Sequence, residues 1–228
     1  MKNIVVPTRT AEDWQRLLAR RDRQGRDDPS AKALARCWQD ADGFPSEIRT
    51  ALHDSGVRLF RDVELLLAIP EHQVAMPPFN THPSQNDIFV LAKGEGQLIS
   101  IAVEGKYSEP FGPFVAKWTE RMTEGKRERL RFLSKELGLG QSAIGHIRYQ
   151  LLHRTASALL EARRFRAENA MMLVHSFSQC NEWFGDFCDF CELFGLLGRV
   201  NSAVGPKHIK GIDLYLSWVR GSPKYLRR

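Results

Sequence analysis

The chain has 228 residues, 43% of them hydrophobic and 26% charged, which excludes a disordered or fibrous protein. No apolar run approaches the roughly 18 residues that cross a bilayer, and the apolar stretch in "MKNIVVPTRTAEDW" is too short for a signal peptide. The expectation is a cytoplasmic chain with no membrane partner. The formal net charge of +6 gathers in "RRDRQGR", "EGKRERLRFLSK", "LEARRFR" and "RGSPKYLRR". Such clusters suit a polyanionic partner, because each neutralised phosphate releases counterions.

The first part of the chain reads as helices. Thr10 can cap "AEDWQRLLARR", with Asp13 three residues on as an acidic partner. "DDPSAKALARCWQDADG" opens near a proline and closes on a glycine, and "PSEIRTALHDSG" follows the same logic. Phe60, Val63, Leu66 and Leu67 recur at helical spacing in a further segment that Pro70 would end. Residues 1–56 are therefore expected to form a helical region packed on a domain spanning 57–228.

Period two then takes over, with strands expected at about 71–76, 87–93 and 97–104, the last two joined by the short turn "GEG". Helices are expected at 113–122, 124–137 and 141–166. The last carries a stripe of Ile144, Ile147, Leu151, Thr155, Ala158, Leu159 and Ala162 suited to covering a sheet. "NAMMLVHSFS" reads as a buried strand, 181–195 as an aromatic helix, and "GIDLYLSWVRG" as a late strand. The order predicts an α/β fold with a mixed central sheet flanked by helices.

Cys188-x-x-Cys191, with His175 and Cys180, has the ligand types of a zinc site. The cysteines nonetheless lie on an apolar helical stripe with Trp183, Phe184, Phe187 and Phe194, so they are read as core residues.

The chemistry concentrates at one hairpin. With the turn centred on Glu95–Gly96, Asp87 faces Glu104 across the strand pair, Cβ atoms roughly 5 Å apart. Lys106 lies two residues past Glu104 and so shares its face. Ser100 and Ala102 on that face are small, whereas Ile99, Ile101 and Val103 point the other way. Two facing carboxylates raise each other's pKa unless a positive charge lies between them. Mg²⁺, or Mn²⁺, meets that need with one or two carboxylates, water and phosphate oxygens. The plainer alternative is a turn-capping Asp87 and a surface pair of Glu104 with Lys106.

A strand ending in an acid, then an antiparallel strand ending in Glu104-Gly105-Lys106, then a helix and a further strand, resembles the PD-(D/E)xK nuclease superfamily of restriction endonucleases, resolvases and RecB-like nucleases. The resemblance covers about 57–178 and implies a restriction-endonuclease-like αβββαβ core with an N-terminal helical elaboration. It implies Mg²⁺-dependent phosphodiester hydrolysis, most readily of DNA, with Asp87 and Glu104 on the metal and Lys106 positioning water. It also implies an acid on the helix before the first strand, for which Glu64 stands one turn from Phe60 and Leu67, and a glutamine on the following helix, for which "IRYQLLHR" offers Gln150. The Gln-x-x-x-Tyr pattern is absent, since position 154 is Arg. Arg148 is read near the centre of the apolar stripe and is grouped with the catalytic residues. Arg154, Lys126, Arg127 and Arg129 are assigned to the nucleic acid. Gly105 and Gly112 would admit a phosphate. The alternative function is a nucleic-acid-binding or complex-forming module with weak or lost catalysis, as a homodimer or within a protein complex.

Overall fold

The computed structural model describes residues 4, 10, 13, 14, 29–79, 82–140 and 142–226. The expected helix after Thr10 and the basic run "RRDRQGR" fall almost wholly outside them, although Thr10 N–H does donate to Asp13 Oδ2 at 3.1 Å. The described chain runs α1 (Pro29–Asp40), α2 (Ser46–Asp54), β1 (Glu64–Val74), β2 (Ser84–Gly94), β3 (Gln97–Lys106), α3 (Val115–Thr119), α4 (Glu124–Leu137), α5 (Tyr149–Phe165), β4 (Asn169–Ser176), α6 (Phe184–Glu192), β5 (Ser202–Ile209) and β6 (Ile212–Arg220).

The six strands form one mixed sheet in the order β1-β2-β3-β4-β6-β5. β1, β2 and β3 are an antiparallel meander, β3, β4 and β6 run parallel, and β5 returns antiparallel at the far edge. Each face carries its own apolar core. One joins Ala102, Met172 and Leu216 to Leu133, Leu151 and Phe187 of α4, α5 and α6. The other joins Ile88, Ile101 and Leu173 to Leu34, Trp38 and Ile48 of α1 and α2. The N-terminal helices thus cover one face of the sheet. Among the described residues no helix is long and apolar enough to cross a membrane.

Two expectations are corrected and one strand is new. The segment holding Phe60, Val63, Leu66 and Leu67 is not one helix: a single 3-10 turn (Arg58–Phe60) leads into β1. A short leucine-rich run satisfies either period, and Pro70 is accommodated because β1 is an edge strand. The long helix starts at Tyr149 and not at 141, after a non-helical stretch in which Phe114 bridges Arg148. The edge strand β5 carries no period-two signal, because Gly205, Pro206, Lys207 and His208 break its alternation. Cys191 is buried in the apolar core as expected, whereas Cys188 is only partly buried and lies outside that cluster, and both are free thiols.

Candidate active site

The hairpin turn sets the site. Glu95 and Gly96 both take positive φ, 47° and 82°, as a two-residue turn matched to strand twist requires. Gly94 then pairs with Gln97, and the ladder runs without slippage to Ile88 and Val103, so the next pair brought face to face is Asp87 and Glu104. The face carrying Glu104 also presents Ser100 and Ala102, both fully buried. Small residues there let α5 approach closely enough for Ser100 Oγ to donate to the Ala158 carbonyl at 2.8 Å. That approach brings Gln150 and Arg154, one helical turn apart, over the carboxylates.

The resulting cluster is dense in contacts. Glu104 Oε1 lies 2.8 Å from Lys106 Nζ and accepts from Gln150 Nε2 at 2.6 Å. Glu104 Oε2 accepts from Arg154 Nε at 2.5 Å. Asp87 Oδ2 accepts from the Gly105 N–H at 2.7 Å, while its Oδ1 is 3.9 Å from Arg154 Nη2. These groups line a cavity of 180 Å³ at the carboxyl end of β3. Gly105 serves packing and not phosphate approach: a β-carbon there would meet Leu34 Cδ2 of α1 at 3.0 Å.

One residue was missed from the sequence. Pro70 pairs with Ile88 and His72 with Asn86, which sets Glu71 of β1 beside Asp87. Glu71 holds a positive φ of 54°, accepts from Gln85 Nε2 and lines the same cavity. Nothing in the sequence marks Glu71, because a strand expected at 71–76 in place of Glu64–Val74 leaves its register against Asp87 open.

Burial and then the facing Glu104 push the Asp87 carboxyl well above the ordinary carboxylate range, although 27% of its side chain remains exposed at the cavity mouth. Burial would raise Glu104 as well, but Arg154 and Lys106 outweigh it and hold that carboxyl low. Burial alone would lower Lys106, yet Glu104 and Asp87 raise it, so its ammonium stays charged. Arg154 is raised by the same two acids.

Other expected site residues lie elsewhere. Glu64 opens β1 opposite Lys93, six positions from Asp87 along β2, roughly 20 Å away at strand rise. It is exposed and does not approach the carboxylates. Arg148 precedes α5, so helical projection did not apply to it. Its Nε donates to Asp186 Oδ2 and its Nη1 to the Gly112 carbonyl, each at 2.8 Å, under the ring of Phe114. Arg154 and Arg129 are buried away from the outer surface, and each lines a cavity. Arg129 donates to the carbonyls of Met76, Pro77 and His82. Lys126 Nζ donates to the carbonyls of Trp118 and Arg121, and Arg127 is exposed.

On the other face, Cys37, Glu47 and His175 offer ligand atoms within 4.8 Å of one another, and by spacing alone they could hold a metal ion. The tautomer argues for a hydrogen-bonded cluster instead. Trp38 Nε1, which can only donate, is 3.3 Å from His175 Nδ1. The ring proton therefore sits on Nε2, facing Glu47 Oε1 at 3.7 Å. Glu47 also accepts from Ser222 N–H at 3.2 Å and from Cys37 Sγ at 3.5 Å.

No curated protein and no solved structure matches the chain. A family model described as "Domain of unknown function (DUF6946)" matches residues 7–223, and the chain belongs to that family.

Proposed function

We propose that this protein is a metal-dependent phosphodiesterase acting on nucleic acid, most readily DNA, built on a restriction-endonuclease-like core. The observation that carries the reading is Asp87 opposite Glu104, with Lys106 Nζ 2.8 Å from the latter, in one cavity with Gln150. The β1-β2-β3 meander, the α5 crossover and the parallel β4 also support the reading, because the resemblance implies three strands, a helix and a further strand in that order.

The donor set fits Mg²⁺ or Mn²⁺. Its oxygens are hard, and Asp87 Oδ1 has no donor closer than 3.9 Å among the contacts described above. Asp87, Glu104 and Glu71 would hold the ion, which when bound acidifies a water and offsets charge on the phosphate. The chain's own groups do the rest. Lys106, kept protonated by its two acidic neighbours, is a donor and not a base. It orients the attacking water and faces the charge that develops on the phosphoryl oxygens. Gln150 fixes the Glu104 carboxylate, and the Gly105 N–H fixes that of Asp87.

A second reading is a binding module with weak or lost catalysis. It is favoured by Arg154, whose guanidinium already supplies the cation between the two acids. Plasmid nicking with Mg²⁺ or Mn²⁺ separates the two, using wild type, Asp87→Ala and Lys106→Ala. Cleavage by wild type alone supports the phosphodiesterase; cleavage surviving in both variants removes the assigned site, and cleavage by none supports the binding module.

A further inference from the structure

Arg154 makes a contact that neither acid explains. Its Nε donates to Glu104 Oε2 at 2.5 Å, while Nη1 turns to Ser84 Oγ and donates to it at 3.3 Å. Nη2 stops 3.9 Å from Asp87 Oδ1, too far for a hydrogen bond. The guanidinium is a rigid plane. Held at two nitrogens, it cannot swing the third toward Asp87 without giving up one of the other contacts.

Ser84 opens β2, is only 2% exposed, and has one hydroxyl proton to give. Arginine can only donate, so toward Arg154 the oxygen accepts. The proton goes to His153 Nδ1, which lies 2.7 Å away. The other acceptor in reach, the His153 carbonyl, is farther at 3.4 Å and already accepts from Ser157 Oγ at 3.0 Å. Nδ1 accepts only when it carries no proton. Burial, followed by the positive charges of Arg154, Arg129 and Lys106, drives the imidazole well below its ordinary pKa, so the ring is neutral. With Nδ1 accepting, the ring proton sits on Nε2. His153 thus turns the Ser84 hydroxyl so that a lone pair faces Arg154. Two consecutive residues of α5 are joined through a residue of β2.

Without that tether the guanidinium has a stronger alternative. An arginine beside two carboxylates gains more by closing onto both, because a contact between charges is about twice as strong as one to a neutral hydroxyl. Closing would occupy Asp87 Oδ1, the oxygen left for an ion. We infer that Ser84 and His153 are positioning residues that hold Arg154 off Asp87 and keep Oδ1 open to a divalent cation. Among the described contacts neither residue bonds a carboxylate, so both act through Arg154. The tether stands on its own geometry; its purpose rests on the metal reading of the carboxylates.

The test joins crystal structures of the full chain in EDTA with calorimetric titration by Mg²⁺. In Ser84→Ala, Nη2 should close to hydrogen-bond distance of Asp87 Oδ1, and Mg²⁺ affinity should fall about tenfold or more, the usual effect of losing an outer partner. His153→Leu should show a smaller loss of the same kind. His153→Asn, whose side-chain oxygen can stand in for Nδ1, should keep the open arrangement and wild-type affinity. A role in packing alone would leave both the gap and the affinity unchanged in Ser84→Ala. An unchanged gap in Ser84→Ala, or the same affinity in His153→Asn as in His153→Leu, would overturn the inference. A wild type that binds no Mg²⁺, with the gap closing in Ser84→Ala, removes the metal reading and keeps the tether. Equal Mg²⁺ binding by wild type and Ser84→Ala removes the tether's role and keeps the metal site.

Discussion

Arg154 Nε lies 2.5 Å from Glu104 Oε2, closer than Lys106 Nζ at 2.8 Å from Oε1, and both contacts are buried. The arginine neutralises a carboxylate pair that the hairpin register forces together. In the sequence it stands on one shoulder of a helical stripe and reads as a phosphate contact. In the fold its guanidinium lies between the two acids and offsets their charge.

Arg154→Met should therefore destabilise the chain by about 3 kcal/mol, because removing one partner strands a buried charge. Mg²⁺ should restore part of that loss, since a ligand that binds only the folded state stabilises it by mass action. Urea titrations with and without Mg²⁺ check this. A variant unresponsive to Mg²⁺ would remove the carboxylates as a metal site.

Lys106→Ala should lower the cleavage rate by about a hundredfold or more, the usual effect of deleting a donor aimed at developing charge. Lys106→Arg should recover little of it, because the guanidinium cannot occupy the position of Nζ over the Phe111 ring at 5.2 Å. Single-turnover cleavage at saturating Mn²⁺ separates this loss from weaker metal binding.

The pH dependence follows from the opposite shifts of the two acids. Asp87 is raised, so its contribution to stability is present below its ordinary pKa and is lost as pH rises through the raised value. Glu104 is lowered, so its contribution is present above its ordinary pKa and is lost as pH falls through the lowered one. On the proposed metal site, a bound ion favours the ionised Asp87, so Mg²⁺ affinity should rise with pH, and binding below the raised pKa should release a proton. Calorimetry in two buffers of different ionisation enthalpy measures that proton. Asp87→Asn should bind Mg²⁺ weakly, release no proton and be more stable than wild type at neutral pH.

Glu71→Gln keeps the size of the side chain that Gln85 contacts but removes the third negative charge beside Asp87. Mg²⁺ affinity should fall about 10- to 100-fold, with unfolding in EDTA nearly unchanged. Unaltered Mg²⁺ affinity would leave Glu71 as part of the cavity wall alone.

Arg148→Ala should act on stability and not on chemistry. It breaks the half-buried pair with Asp186 and the bond to the Gly112 carbonyl, and should cost about 2 kcal/mol. Cleavage per folded molecule should match wild type. A selective loss of activity would return Arg148 to the catalytic group.

The sequence by itself determined the hairpin and its register. "GEG" admits a two-residue turn with positive φ, and period two then dictates which residues face each other, so Asp87 meets Glu104 and Lys106 shares a face with it. It also determined the covering helix, because Leu151, Thr155, Ala158, Leu159 and Ala162 recur at helical spacing on the sheet. Only the tertiary structure decided which charges reach that end of the sheet. Glu71 and Glu64 belong to one strand, yet only the pairing of β1 with β2 places the first beside Asp87 and the second about 20 Å away. Arg148 and Arg154 are six residues apart, yet the start of α5 between 148 and 149 sends one to Asp186 and the other to Glu104. Periodicity is a local property and fixes faces; charge compensation at a buried site depends on which faces the packing brings together.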